Sequence, residues 1–155
     1  MTPLIRVQSE DFDVATETAR ITQGRHDIGA IVTFTGLCRS EDGTLGALEL
    51  EHYPGMAEEE LSRVAEDAKA RWVLDGLTII HRYGKLIPGE NIVLVIAASR
   101  HRKDAFEAAD FLMDYLKTRA PFWKKEHPAN GESGGWIAAK SDDDAAAARW
   151  NVTKS

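Results

Sequence analysis

Two short stretches of this sequence concentrate positive charge and contain the residues best suited to chemistry on an anion. They are residues 99–103 (SRHRK) and 117–126 (KTRAPFWKKE). Residues 100–125 carry seven Lys and Arg against four Asp and Glu, whereas the rest of the chain carries 12 basic and 21 acidic residues. An acidic protein of net charge −6 with one basic segment indicates a focused anion site, and it argues against a general nucleic-acid binder.

The first basic stretch lies between a predicted buried strand and the start of a predicted helix. A helix N-terminus carries about half a positive charge, so the cations near His101 and Arg102 are unfavourable there unless an anion binds to them and to the free N–H groups. The same side chains can instead extend into water or pair with nearby acids, and the sequence leaves both interpretations open. A strand-to-helix junction is a common place for a ligand site.

The second basic stretch places Lys117 and Lys124 on either side of Pro121. Lys117 falls in the last turn of a predicted helix, where the helix dipole favours a cation and a purely structural role is natural. Phe122 and Trp123 form an apolar wall next to Lys124, and burial against such a wall lowers the pKa of a lysine towards useful acid–base values. Two lysines flanking a turn enforced by proline could face one pocket.

Three further residue types are weaker candidates. Arg39 ends a predicted buried strand, although an exposed loop arginine is the commoner case. The single cysteine, Cys38, cannot form an internal disulfide or by itself a zinc site, and nothing local identifies a base for it, so we predict a bystander. His52 and His81 lie in strand patterns and are interpreted as structural. The sequence has no HExxH, GxGxxG or Walker motif, so zinc-protease and nucleotide-binding functions lack support.

The elements that must position these residues follow from the hydrophobic pattern. The sequence predicts strands at 4–8, 28–35, 45–53, 77–83, 91–98 and 136–140, and helices at about 9–21, 56–72 and 103–118. Mixed strands with two substantial helices indicate the α+β class. Residues 91–98 are apolar on both faces, which predicts a central strand. The strands at 28–35 and 45–53 are predicted to form a hairpin around residues 40–43.

Length and composition indicate a single domain over residues 1–155, with a flexible loop at about 129–135 and a polar tail after about 142. The chain is 43% apolar and 28% charged, which is ordinary for a soluble globular protein. No apolar run approaches the roughly 20 residues of a membrane helix, and the N-terminus lacks a signal-peptide pattern. We therefore expect a cytoplasmic protein.

Four stretches, taken in order, resemble the catalytic large subunit of molybdopterin synthase. They are residues 32–36 (VTFTG), 50–56 (LEHYPGM), 80–84 (IHRYG) and 114–126 (DYLKTRAPFWKKE). The resemblance runs from about residue 28 to Trp150, and its last stretch is long and unusual in composition, so it is more specific than any short motif here. Lys140 lies where many relatives are expected to carry an arginine.

The resemblance implies an α/β-hammerhead fold with an additional antiparallel β subdomain. It implies a homodimer that binds a small ubiquitin-like sulfur-carrier subunit at each end, giving a heterotetramer. The implied reaction transfers sulfur from the carrier's C-terminal Gly-Gly thiocarboxylate to cyclic pyranopterin monophosphate and forms the dithiolene of molybdopterin, in molybdenum cofactor biosynthesis. Sulfur comes from the carrier protein, so no metal or organic cofactor is expected.

Carried over position by position, Lys117 and Lys124 match the family's active-site lysines, and Arg39, His101 and Arg102 match its substrate-pocket residues. Such a site must hold a thiocarboxylate and a phosphate, and a concentration of cations meets that need. We expect Arg39, His101 and Arg102 to bind the phosphate and pterin side of the substrate. Lys117 would hold the thiocarboxylate, and Lys124 would assist as a second cation or proton donor.

Two other functions remain open at this point. A non-catalytic module would hold a phosphorylated metabolite or a ubiquitin-like partner and signal its presence, and it would bind without forming the dithiolene product. A Schiff-base enzyme would form an imine between a carbonyl substrate and Lys117 or Lys124, and borohydride would trap the substrate there. The sequence gives no positive sign of this function.

Overall fold

The computed structural model describes residues 1–130, 136–137 and 147–151. The strands are β1 (Leu4–Gln8), β2 (Ala30–Leu37), β3 (Leu45–His52), β4 (Gly76–Arg82), β5 (Gly84–Leu86), β6 (Asn91–Ser99), β7 (Phe122–Pro128) and β8 (Trp136–Ile137). The helices are α1 (Val14–Thr22), α2 (Met56–Arg71) and α3 (Arg102–Arg119), and a 3₁₀ turn covers Arg149–Asn151. The predicted flexible loop and polar tail lie largely outside the described residues, and Lys140 lies wholly outside them.

One sheet, sheet A, has the strand order β1-β4-β6-β2. β6 is antiparallel to both of its neighbours, and β1 is parallel to β4. The prediction of a central strand is confirmed, because β6 is paired on both sides and its residues from Val93 to Ser99 are buried. A strand covered on both faces reads as a continuous apolar run, which is the pattern that the sequence shows.

Helices cover both faces of sheet A. Alternate residues such as Ile79, Val95 and Ala97 pack against α2 and α3, whereas Ile80 and Leu94 pack against α1 on the other face. This division follows from the two-residue period of a strand. The mixed α+β class is confirmed, and no helix in the described ranges has the length and apolar character needed to cross a membrane.

The second sheet, sheet B, has the order β5-β3-β7-β8 and is antiparallel throughout its described pairs. Leu50 of β3 is fully buried with Leu86 and Cys38 in a small core of its own. The register places Lys124 of β7 opposite Leu50 and places Phe122 opposite His52. Phe122 and Lys124 therefore share one face of β7.

The predicted hairpin between residues 28–35 and 45–53 is wrong. β2 pairs with β6 in sheet A, whereas β3 pairs with β5 and β7 in sheet B, so residues 40–43 connect two sheets. The physical reason is that the apolar β6 offers β2 a partner along its whole length, while Leu50 of β3 is buried in a separate core with Leu86 of β5 and Cys38.

Two other boundaries differ from the predictions. Residues 122–128, for which the sequence predicts no strand, form β7, and their high charge hides the alternation of the two faces. Helix α1 begins at Val14 rather than near residue 9, because the Asp13 side chain caps it by accepting a hydrogen bond from the Thr16 N–H at 2.9 Å.

Gly29 precedes β2 at a close approach to the end of β6, so we predict that Gly29→Ala is destabilising. The Gly29 N–H donates to the Ser99 carbonyl at 3.0 Å, and a Cβ on Gly29 would lie 2.1 Å from the Arg100 carbonyl oxygen. Because that obstacle is backbone, we expect Gly29→Ala to lower the free energy of unfolding by about 1–3 kcal/mol, measured by urea denaturation. Thr33→Ala, at an exposed position of β2, is the control, and an equal loss in both variants would contradict the close approach.

Candidate active site

The two lysines of the second basic stretch lie on either side of a tight turn. Lys117 is in the last turn of α3, and Lys124 is the third residue of β7. Ala120 leaves the helix in an extended conformation, as expected before a proline, and its carbonyl accepts a hydrogen bond from the Phe122 N–H at 2.8 Å. Pro121, at the centre of this turn, thus ends the helix and reverses the chain.

Both lysines act electrostatically on a buried histidine, His81 of β4. His81 is 8% exposed, and its ring stacks on that of Phe122 with 3.8 Å between centroids and 12° between planes. Burial above all, and then the electrostatic effects of nearby Lys124, Lys117 and His52, lower the pKa of His81 to about 4 against the opposing effect of its hydrogen bond with the Arg82 carbonyl. Lys117 and Lys124 therefore lie near enough to this neutral imidazole to act on it electrostatically.

A single hydrogen bond fixes the tautomer of this imidazole. Nδ1 of His81 lies 2.8 Å from the Arg82 carbonyl oxygen. A carbonyl only accepts, so Nδ1 carries the proton and Nε2 presents its lone pair. The stack on Phe122 thus fixes the plane of the ring, and the hydrogen bond with Arg82 fixes its rotation within that plane. Nε2, on the opposite side of the ring from that bond, is a hydrogen-bond acceptor.

His52 and Tyr83 extend the aromatic contacts from His81. The His52 ring lies 5.9 Å from Phe122 and 4.5 Å from Tyr83, both in tilted arrangements. We call Lys117, Lys124, His81, His52 and Phe122 the lysine–imidazole cluster. It lies where sheet A meets sheet B, since His81 belongs to β4 and Phe122 to β7.

The sequence pattern predicts a structural role for His52 and His81, and it does not indicate that they lie near the two lysines. Their strand pattern shows only that His81 is buried, and it does not show which side chains from other elements surround it. The signal that could have found them is their place in the stretches 50–56 and 80–84, both of which carry the family resemblance.

His101 and Arg102 do not reach the cluster of their own chain. They stand at the start of α3, where His101 is the N-cap residue and both are exposed. Arg102 and Lys117 are 15 residues apart on one helix, which corresponds to about 22 Å at the rise of an α-helix. The five predicted site residues therefore do not form one pocket within a single chain.

Arg39 lies beyond the end of β2 on the surface. Its side chain is 74% exposed, and its guanidinium forms an ion pair with Glu41 at 2.7 Å. The preceding Cys38 is buried, its Sγ lies 3.7 Å from the Leu86 carbonyl oxygen, and burial raises the pKa of its thiol. A protonated, enclosed thiol is a poor nucleophile, which agrees with the predicted bystander role.

The lysine–imidazole cluster has the chemistry of an anion site. Two ammonium groups supply positive charge and protons, and a neutral imidazole next to them adds a hydrogen-bond acceptor without a third charge. Fixed cations of this kind stabilise negative charge that develops on an acyl group during transfer. Among the described residues, no group of three or more His, Cys, Asp or Glu side chains could hold a metal ion.

Comparisons with known proteins agree on one family. The profile of the MoaE protein family matches residues 7–119. The chain is 65% identical to a molybdopterin synthase catalytic subunit from Mesorhizobium japonicum, over 97% of this chain and 94% of that protein. A molybdopterin biosynthesis MoaE protein from Burkholderia ambifaria superposes with a TM-score of 0.83 at 47% identity, covering 97% of this chain and 99% of that one. For molybdopterin synthase from Staphylococcus aureus the TM-score is 0.76 at 31% identity, covering 85% and 95%.

The buried neutral His81 makes the stability of the fold depend on pH. The unfolded side chain has a pKa near 6.5 and the folded one a pKa of about 4, so between these values the unfolded chain binds more protons. The stability that depends on a neutral His81 is fully present above pH 6.5. It is lost as the pH falls towards 4, and the total loss in the free energy of unfolding is about 3 kcal/mol.

Urea denaturation of the wild type and of His81→Phe at pH 7.5 and pH 5 measures this contribution. Carboxylates titrate in both proteins, whereas the imidazole of His81 is present only in the wild type. We therefore expect the wild type to lose more stability than the variant over this interval. Equal losses would contradict the burial of a neutral His81.

Proposed function

Since the chain belongs to the MoaE protein family and is a molybdopterin synthase catalytic subunit, an enzyme of molybdenum cofactor biosynthesis, we propose that Lys117 and Lys124 form its sulfur-transfer site. The sulfur donor is the C-terminal Gly-Gly thiocarboxylate of a small ubiquitin-like carrier subunit. The acceptor is cyclic pyranopterin monophosphate, which becomes the dithiolene of molybdopterin. In the same proposal the fold is an α/β-hammerhead, and sheet B is its additional antiparallel subdomain.

The observation that supports this proposal best is that both lysines, which come from different elements, lie near enough to His81 to act electrostatically on it. A thiocarboxylate is an anion, so the carrier tail needs a cation at its end. Lys117 holds the sulfur against the attacked carbon and stabilises charge on the acyl group as each sulfur transfers. Lys124 is the second cation or proton donor.

The neutral state of His81 suits this chemistry. A charged imidazole would repel both ammonium groups, whereas a neutral one leaves the lysines as the charged groups that face the carrier tail. Burial against Phe122 holds that state and outweighs the hydrogen bond with the Arg82 carbonyl, which favours the charged form.

The separation along α3 supports a homodimer. Arg102 and His101 cannot reach a substrate bound at Lys117 of their own chain across about 22 Å of helix. A second copy related by two-fold symmetry can bring its His101 and Arg102 to the first copy's lysines, which yields two equivalent sites. The edge strand β2 exposes Phe34 and Leu37 just before Arg39, which suits a contact between copies. With one carrier at each site the assembly is a heterotetramer.

The lysine assignment predicts a large and face-specific loss of turnover. We expect Lys117→Ala and Lys124→Ala each to slow dithiolene formation by about a hundredfold or more, measured with thiocarboxylated carrier and cyclic pyranopterin monophosphate at saturating concentrations. Lys125→Ala is the matched control, because Lys125 pairs opposite Glu49 on the other face of β7, and it should keep near-normal turnover. A Lys117→Ala protein that works at the normal rate would overturn the assignment.

The composite dimer predicts that two impaired variants rescue each other. Lys117→Ala and Arg102→Ala are mixed under conditions that exchange protomers, and turnover is measured at substrate concentrations below the wild-type KM. Half of the randomly formed dimers contain one copy of each, and each of these has one intact site, so about a quarter of wild-type turnover should return. If exchange is verified by mass spectrometry and turnover stays at the average of the two variants, the residues act within one chain.

A further inference from the structure

His81 is a buried, titratable side chain to which the proposed chemistry assigns no direct part. A phenylalanine could fill the same space against Phe122, and burying an imidazole costs free energy unless its polar atoms are used. Nδ1 is used by the Arg82 carbonyl at 2.8 Å. The hydrogen bond also fixes the direction of Nε2, which suggests that Nε2 has a partner in the working site.

We propose that His81 is a positioning residue for Lys124, whose ammonium donates a hydrogen bond to Nε2 of His81 when the carrier tail occupies the site. The inference rests on the proposed function of Lys124. Catalytic hydrogen bonds are often long in a free enzyme and tighten only in the complex.

Geometry favours Lys124 over the other nearby groups. Phe122 and Lys124 are two residues apart on β7 and project from the same face. The His81 ring stacks on Phe122, so the next side chain along that face lies beside the imidazole. Lys117 approaches from α3 and His52 from β3, and Lys124 has the largest electrostatic effect of these three on His81.

This arrangement would fix the direction in which the Lys124 ammonium points. A lysine side chain has many rotamers, and a single fixed acceptor selects among them. Because Nε2 of a neutral imidazole is an acceptor only, this hydrogen bond would use one of the three protons of the Lys124 ammonium. His81 thus acts through Lys124 and does not touch the reacting atoms.

Three substitutions of His81 test the roles of Nδ1, Nε2 and the ring separately. Glutamine places its amide near the position of Nε2, asparagine places its amide near that of Nδ1, and phenylalanine keeps only the ring. We expect His81→Phe and His81→Asn to lower kcat by about tenfold with little change in KM, and His81→Gln to recover most of the loss. Circular dichroism and urea denaturation at pH 7.5 identify any variant that fails to fold, which is then left out of the comparison. Equal kcat values for the folded glutamine and phenylalanine variants would overturn the proposal.

A second measurement does not depend on turnover. NMR titration of ¹³C-dimethylated lysines, in the complex with carrier, reports the pKa of Lys124 directly. Removing an acceptor destabilises the ammonium, so the pKa of Lys124 should fall in His81→Phe relative to His81→Gln, while that of Lys125 stays unchanged. An unchanged pKa of Lys124 would refute the hydrogen bond. If the pKa of Lys124 moves and Lys124→Ala nevertheless turns over normally, the proposed function fails and the contact stands.

Discussion

The stack of His81 on Phe122 is the contact on which the geometry of the site depends. It joins β4 of sheet A to β7 of sheet B with parallel rings 3.8 Å apart. Because β7 follows α3 after a tight turn, fixing Phe122 also fixes Lys124 on one side of the turn, while the packing of α3 on sheet A fixes Lys117 on the other. Two lysines distant from β4 in sequence thereby lie near enough to His81 to act on it electrostatically.

The distribution of charge along the chain and the length of α3 determine where a substrate with negative groups can bind. Residues 100–125 carry seven basic and four acidic residues, whereas the rest of the chain carries 12 basic and 21 acidic residues, so the net positive charge of this segment favours the approach of an anionic substrate to it. Within that region α3 separates two groups of cations by its own length. A substrate with two negative groups can contact both groups of cations if a second copy of the chain supplies one of them. In that case a complete site exists only in the dimer.

Much of the fold could be predicted from the sequence because local pattern determines it. The continuous apolar run of β6 and the helical stripes of α2 and α3 appear where expected, and Pro121 marks the turn between Lys117 and Lys124. The strands with which β2 and β3 each pair could not be predicted, because those partners are distant in the sequence. The strand β7 is hidden by its charged residues, and the contact of His81 with the lysines arises only when two sheets meet.

A crystal structure of the complex with the carrier subunit tests the central claim most directly. The measured quantity is the distance from the carboxyl group of the carrier's last glycine to the Nζ atoms of Lys117 and Lys124. We predict that the tail ends at the lysine–imidazole cluster, with a carboxyl oxygen within about 3 Å of at least one of these nitrogens. A tail that ends elsewhere, for example beside Lys125 on the opposite face of β7, would contradict it.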